Sequence, residues 1–405
     1  MSAFDAGEVV IDALLVMSPR GTASFAHLVQ NISIFESIFQ PAVVADITVL
    51  DFDAVIGKMV LTGDETVYLS FTSPARGTAT YNFALNQVDG IESPSMKSYS
   101  YVLRCVSIET LHAKTNYVQK SYETLISSMV SDIQSNYLKS SRPIYAEPTD
   151  GPQRIVIPNY SPYQAIDMLR RRSVSAINKS SMFVYYETQK QFNFRTIEGL
   201  FKQTPTKLYF QSDTVSQNAG ADISNNILAY SVPQLACAVD RIKYGMKKRV
   251  IQFNFRTHKF EVKDVNTTDT SMTTGGSGSY NSAEFIAKFA NGAKIPPFTF
   301  VPTDTSARPV TGISEAAANF DSYLATLMQN VMTVKSFGDP NIVAGDMVYC
   351  AIYEKNSTTD ARELDKLLSG NFLITRLHHE IRNAAASPRY TNTVELVKGD
   401  LENGV

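Results

Sequence analysis

Apolar and polar residues alternate in short runs over the first hundred positions: Ile32 and Ile34; Ala45, Ile47 and Val49; Val67, Leu69 and Phe71; Tyr81, Phe83 and Leu85; Tyr101, Leu103 and Cys105. A period of two, bounded by Gly, Pro, Asn and Asp, predicts half-buried antiparallel strands. Such a run protects its edges most simply by closing into a small barrel or sandwich, so residues 1–112 are expected to form a first β domain. The spacing then changes. Tyr122, Leu125, Ile126, Met129, Ile133 and Tyr137 recur at intervals of three and four, predicting a helix capped by Ser121 and ended by Arg142-Pro143. After a strand over 154–157, the string Asn159-Tyr160-Ser161-Pro162 predicts a second helix with Ser161 as N-cap and Pro162 at its first position. Its inward face is Tyr163, Ile166 and Leu169, and segments 182–186 and 192–195 read as a hairpin. Residues 113–204 are therefore expected to form a small α/β unit.

Alternation returns from Thr206 through Leu208 and Phe210 to Ile242 and Tyr244. The stretch 266–282, rich in Thr, Ser and Gly, cannot bury enough apolar surface to order itself, and predicts a mobile loop or a segment ordered by a partner. A helix over 314–329, with Phe320, Tyr323, Leu324, Leu327 and Met328 as its apolar positions, leads into strands at 331–334, 348–352, 372–377 and 394–397. A second β domain thus spans 205–245 and 313–400, interrupted by an insertion at 246–312. Leu61-Thr62-Gly63-Asp64 before Val67, Leu69 and Phe71 is echoed by Val343-Ala344-Gly345-Asp346 before Val348, Cys350 and Ile352. A glycine-aspartate turn ahead of an alternating strand is common, but with two β domains of similar size it points to a duplicated unit. The fold class expected is β-rich α+β.

Composition narrows the function. The chain has 405 residues, enough for two to four domains. Its formal charge of -2 argues against a protein that grips nucleic acid through a basic surface. Only 19% of its residues are charged, against about 25% in ordinary soluble chains, which predicts unusual coverage by partners. No apolar stretch approaches the roughly 20 residues that cross a bilayer. The first seventeen positions carry Asp5, Glu8 and Asp12 with no preceding basic segment, so no signal peptide is expected. Cys105, Cys237 and Cys350 lie far apart without metal-binding spacing and read as reduced core residues. The sequons at Asn31, Asn178, Asn266 and Asn356 imply nothing without a secretory route.

The candidate chemistry is thin. His378-His379-Glu380 lacks the helical His-Glu-x-x-His spacing, and adjacent histidines on a strand point to opposite faces, which disfavours a shared metal. Asp51 and Asp53 lie on one face of an extended segment and offer an acid and base for glycoside hydrolysis, while Asp64 and Glu65 sit in a turn. Acidic turn residues of this kind are ordinarily solvated. No Gly-x-Ser-x-Gly elbow occurs and no cysteine has a histidine nearby in sequence. The run Arg170, Arg171 and Arg172 is either a docking patch for an acidic partner or the basic C-terminus that helices favour. With no catalytic constellation, no cofactor and no metal, the residues point to an assembly protein rather than an enzyme.

The order of parts resembles the central baseplate hub proteins of contractile-tailed bacteriophages, the family related to the hub segment of type VI secretion spike proteins. The resemblance rests on Asn31-Ile32-Ser33-Ile34-Phe35-Glu36-Ser37-Ile38-Phe39-Gln40-Pro41 and Ala45-Asp46-Ile47-Thr48-Val49-Leu50-Asp51, then Leu61-Thr62-Gly63-Asp64-Glu65-Thr66-Val67 and Tyr101-Val102-Leu103-Arg104-Cys105-Val106-Ser107. It continues in Ile157-Pro158-Asn159-Tyr160-Ser161-Pro162 and Ser181-Met182-Phe183-Val184-Tyr185-Tyr186-Glu187, and closes in Ala344-Gly345-Asp346-Met347-Val348, Leu368-Ser369-Gly370-Asn371-Phe372-Leu373-Ile374-Thr375-Arg376-Leu377-His378-His379 and Tyr390-Thr391-Asn392-Thr393-Val394-Glu395-Leu396. Each string is degenerate, and their order carries the likeness; only the insertion is poorly anchored.

The resemblance implies two tail-tube-like antiparallel β-barrels with the α/β unit between them and the insertion in the second barrel. It implies a homotrimeric ring of pseudo-sixfold symmetry, joining a threefold central spike below to a sixfold tail tube or tube-initiator protein above. Tape measure protein and baseplate wedge are further expected partners, and DNA passes through the lumen without specific binding. The expected location is the virion tail baseplate, assembled in the bacterial host cytoplasm. Subunit seams are expected at edge strands that pair between neighbouring copies: Val44, Ile47, Val49 and Asp51; Asp346, Val348 and Ile352; Phe372, Ile374, Arg376 and His378. Two other readings stand beside the hub: a β-rich tail cell-wall hydrolase using Asp51 and Asp53, and a host-binding tail module with the Ser/Thr/Gly tract at its tip.

Overall fold

The period-two positions of the first hundred residues form one buried face. Ala45, Ile47, Val49, Val67, Leu69, Phe71 and Leu103 are fully buried, and Tyr81, Phe83, Leu85, Tyr101 and Cys105 nearly so. The computed structural model describes residues 7–74, 76–95, 97–178, 180–211, 225–235, 239, 248–254, 258–265, 298–303, 327, 330–354, 363–383 and 388–399. Its first seven strands are β1 (Val10–Ser18), β2 (Gly21–Ser24), β3 (Val29–Ser37), β4 (Val44–Asp51), β5 (Thr66–Ser73), β6 (Gly77–Ser95) and β7 (Ser98–Ser107). They pair antiparallel in the order β3-β4-β7-β6-β5-β1-β2, with two short helices, α1 (Val55–Met59) and α2 (Ile108–Thr115), beside them.

The α/β unit comprises β8 (Val118–Thr124), α3 (Ile126–Asn136), β9 (Ile144–Ala146), β10 (Gln153–Tyr160), α4 (Pro162–Arg170), β11 (Phe183–Glu187), β12 (Phe192–Thr196) and α5 (Ile197–Phe201). The β11-β12 hairpin is joined by β9, parallel to β12. Ile126, Met129, Val130 and Ile133 of α3 pack with Ile166 and Leu169 of α4 and with Phe183, Phe192 and Phe194. The α4 terminus forms as the sequence indicates: the Ser161 hydroxyl and Gln164 make a reciprocal capping box with Pro162 inside the first turn. The α3 start does not. Helix α3 begins at Ile126 after Leu125, with no side-chain cap, and Ser121 lies in β8 opposite Val156 of β10. Tyr122 keeps a buried ring from that strand, so its spacing of four to Ile126 spans a strand and a helix. Pairing with β10 overrides the local helical period.

The remaining strands are β13 (Lys207–Phe210), β14 (Ile227–Leu235), β15 (Lys248–Asn254), β16 (Lys259–Val265), β17 (Phe298–Thr303), β18 (Asn330–Phe337), β19 (Met347–Ala351), β20 (Gly370–Arg382) and β21 (Arg389–Val397). Within the insertion, β15 pairs with β16 and β17 as a separate three-stranded sheet. The tract at 266–282, the end of the run at Ile242 and Tyr244, and Cys237 lie outside the described residues, as does the helix expected over 314–329 apart from Leu327, which is buried.

The other strands extend the first sheet in the order β14-β18-β21-β20-β3, with β19 on β20 and β13 parallel to β19. Their inward residues, among them Tyr209, Met332, Val334, Val348, Cys350, Phe372, Ile374 and Leu396, form a second β core. The β20-β21 hairpin serves both cores. Its proximal half supplies Phe372, Ile374, Leu377, Val394 and Leu396 to the second, while Ile381 and Tyr390 belong to the first. It reaches the first because β20 pairs with β3 from Arg376 opposite Ser37 to Arg382 opposite Asn31, and Arg389 bridges to Glu8 ahead of β1.

The glycines of the two glycine-aspartate turns share one backbone angle. Gly63 and Gly345 both have φ +92°, a region open to glycine and closed to most side chains. Their strands pair differently, since β5 lies between two antiparallel neighbours and β19 has a parallel one.

Candidate assembly site

The three packed units meet at a buried polar junction. Glu36 on β3 is in phase with Ile32 and Ile34 and therefore points inward. Its carboxylate accepts the backbone N–H of Gln189 at 2.8 Å, from the β11-β12 turn, and of Ala344 at 3.1 Å, ahead of β19. One side chain thus ties the first sheet to the α/β unit and to the second core. Glu187, in phase with Phe183 and Tyr185 on β11, accepts the Val43 N–H at 3.0 Å and pairs with the Arg142 guanidinium. Arg142 also donates to the carbonyls of Thr188 and Gln189 and lies over the Phe192 ring. Glu109 of α2 accepts from the hydroxyls of Ser107 and Ser140, both at 2.6 Å. Burial pushes Glu36 and Glu187 each up to about 7, because desolvation penalises the ionised form more than the donors favour it.

A second polar tie joins the β halves. Asp339, after β18, pairs with Arg76 from the β5-β6 turn and with Lys207 of β13 at 2.8 Å. Burial opposes ionisation of Asp339, but the two cations and the Asn341 N–H outweigh it and hold the carboxyl below its ordinary range.

The strands expected at the seams are paired on both sides within the chain. Strand β4 is hydrogen-bonded to β3 and β7, β19 to β13 and β20, and β20 to β21, β3 and β19. None of the three is an edge, so their backbone groups are already used within the chain. Ile47, Val49, Asp51, Val348, Ile352, Phe372 and Ile374 are core residues. Val44, Asp346 and His378 are half-buried, and exposed Arg376 pairs with Glu395 at 3.0 Å. Period-two alternation marks one buried face and carries no information about whether the flanking edges are taken, which is why these strands read as edges in sequence.

Most of the other candidates are engaged in contacts within the chain. Asp51 accepts the N–H groups of Asp53 and Ile56, each at 3.0 Å, and the Tyr101 hydroxyl at 3.2 Å. A carboxylate buried and engaged on both oxygens is not poised as a glycosidase acid or nucleophile, and Asp53 faces His27 at 2.9 Å on the surface. Glu65 closes its own turn by accepting from Thr62 and Gly63. His379 is buried with Nδ1 against the Tyr390 hydroxyl at 2.6 Å, and burial lowers it to about 4. His378 lies on the opposite face, stacked on Phe35 at 4.4 Å. Of the three arginines, Arg170 bonds Asp167 and the Phe183 carbonyl, Arg171 shares Asp167 but is 73% exposed, and Arg172 is half-buried. No group of three or more metal-ligating side chains occurs among the described residues. Cys105 and Cys350 are buried thiols, as expected.

Sequence reasoning passed over Glu36 and Glu187. A usable signal was present: each is a carboxylate in register with an inward apolar run.

With this geometry in place, the likeness to solved structures defines the class of fold. A tail protein from Neisseria meningitidis MC58 superposes with a TM-score of 0.59 at 10% identity, over 96% of this chain and 97% of that one. The 43 kDa tail protein of prophage MuSo2 from Shewanella oneidensis gives 0.53 at 9% identity, over 96% and 99%. An Escherichia coli component of the type VI secretion system, described as similar to the T4 phage tail proteins gp27 and gp5, gives 0.47 over 98% and 79%. The chain has the β-rich fold of phage tail proteins. No protein-family model and no curated protein matches the sequence.

Proposed function

We propose that this chain is a structural baseplate hub protein whose two β cores are tail-tube-like barrels, and that three copies form a ring of pseudo-sixfold symmetry. The observation that supports this most is the end-to-end correspondence with two tail proteins, which covers nearly all of both partners at once. The hub joins a threefold central spike to a sixfold tail tube, lies in the virion tail baseplate, and lets DNA pass during ejection. A chain of net charge -2 suits a lumen that DNA crosses without being held. Its work is geometric: the stitched β20-β21 hairpin and the buried junction hold two tube-like surfaces in fixed relation within each subunit.

Since the interior strands have no free edge, ring contacts are assigned to the strands that pair with a single neighbour in the described sheet, β2, β13 and β14. Arg171 is the exposed member of the arginine run and the candidate for docking an acidic partner. Electron microscopy of the purified protein tests the proposal. Threefold rings with six similar lobes around a lumen support it; discrete particles of single-subunit size at every concentration, alone and with the cognate spike protein, refute it.

A further inference from the structure

Tyr81 of β6 is 6% exposed, and its buried hydroxyl has no hydrogen-bond partner among the described residues. The ring is fixed in the first core, stacked with Phe83 at 5.5 Å and Phe71 at 6.3 Å. Phenylalanine would fill that apolar space without burying an unpaired hydroxyl, which is costly. Tyr81 lines a cavity of about 430 Å³ enclosed by β6, α2, the segment before β9 and the β11-β12 turn. That space is far larger than the one water that would satisfy a single hydroxyl, and lies within the roughly 300–1,000 Å³ of small-ligand pockets. The carboxylates in its wall are already engaged on both oxygens, Glu187 by the Val43 N–H and Arg142, Glu109 by the Ser107 and Ser140 hydroxyls. Its unengaged charged groups are donors. The exposed Lys139 ammonium and the His112 ring make no ion pair or side-chain hydrogen bond among the described residues, and exposed Lys190 uses one ammonium hydrogen on the Asn341 carbonyl at 2.5 Å.

We propose that this cavity binds a small organic carboxylate, whose oxygens accept from the Tyr81 hydroxyl at the buried floor and are held by Lys139 and Lys190 at the mouth. Free donors at both depths call for an acceptor-rich anion. Glu109 and Glu187 in the wall oppose a second negative charge, so a monoanionic carboxylate is favoured over a dianion. The hydroxyl supplies the selective contact, because a hydrogen bond to a charged group in a desolvated site is stronger than one at the surface. The exposed lysines supply mostly attraction, which water and salt weaken. The site lies where the first sheet meets the α/β unit, and the inference is independent of the hub reading.

Saturation-transfer NMR of propionate with the full-length protein tests it. A saturable signal with a Kd of about 1–10 mM is expected for so small a ligand. Tyr81→Phe keeps the stacked ring and should weaken binding about tenfold, by loss of a hydrogen bond to a charged group. Lys139→Gln, at the exposed mouth, should weaken it about two- to fivefold. Acetate should displace propionate at about tenfold lower concentration than sulfate, a dianion. Without ligand, Tyr81→Phe should unfold in urea no earlier than the unmodified chain, since the hydroxyl it removes is unpaired. The proposal is overturned by the absence of a saturable signal up to about 100 mM propionate, by an affinity that neither variant lowers, or by sulfate competing as well as acetate. A Tyr81→Phe chain that unfolds earlier also overturns it, because the hydroxyl would then be serving the fold.

Discussion

Gly338 follows β18 and sits against Tyr390, the residue through which the last hairpin enters the first core. The Gly338 N–H donates to the Tyr390 carbonyl at 2.9 Å, so the backbones are fixed at close approach. A Cβ at position 338 would fall within the ring, against Cγ and Cδ1 and 2.5 Å from Cδ2, where carbon contacts ordinarily settle at about 3.5–4.0 Å. Relief requires the ring to move by about 1 Å or more. It has nowhere to go: Tyr390 is fully buried, its ring meets Phe71 edge-on at 5.4 Å, and its hydroxyl shares a 2.6 Å hydrogen bond with His379. Gly338→Ala should therefore cost at the top of the overpacking range, about 3 kcal/mol. The assay is equilibrium urea unfolding followed by tyrosine emission, since the chain has 20 Tyr and no Trp. Tyr390→Ala alone should cost about 3–5 kcal/mol. In that background Gly338→Ala should add almost nothing, because the ring it strikes is gone, giving a coupling of about 3 kcal/mol. A loss below about 1 kcal/mol for Gly338→Ala, or two costs that simply add, would refute the reasoning.

Arg142→Ala strands the buried Glu187 carboxylate and should cost about 3–5 kcal/mol in the same assay; Arg142→Lys should recover only part, since one ammonium cannot replace the guanidinium fork on Glu187 and the Thr188 and Gln189 carbonyls. Ser161→Ala removes the α4 capping box and should cost about 1 kcal/mol, with Ser161→Asp restoring most of it. His379 is held neutral by burial down to about 4, so its contribution to stability is lost as pH falls from 6.5 towards that value, the unfolded chain taking up the proton first. An imidazole NMR titration should place its midpoint near 4, and a midpoint near the ordinary 6.5 would contradict the buried assignment.

The parts of the fold legible in sequence were those fixed by local periodicity. Ala45, Ile47 and Val49, or Val67, Leu69 and Phe71, announce an inward face because a strand alternates whatever surrounds it. Ser161 and Pro162 announce a helix start because the capping groups lie within four residues of one another. What failed depends on partners distant in sequence. Tyr122 reads as helical until β10 supplies the pairing that makes it a strand residue. Strands β4, β19 and β20 read as edges until neighbours from elsewhere in the chain fill both sides. The last hairpin shows the same limit most plainly, for nothing near Ile381 or Tyr390 says that they complete a core begun some 350 residues earlier. The junction was half legible: Glu36 and Glu187 stand in phase with buried runs, but their mutual approach is a tertiary fact.

The central claim is that the chain works as a closed ring of three. Light scattering on the purified full-length protein over a range of concentrations measures this most directly. A subunit of 44.7 kDa predicts an assembly of about 134 kDa for closed threefold symmetry, with no growth beyond it as concentration rises. A mass of 44.7 kDa at every concentration, unchanged when the cognate spike protein is added, would contradict the account.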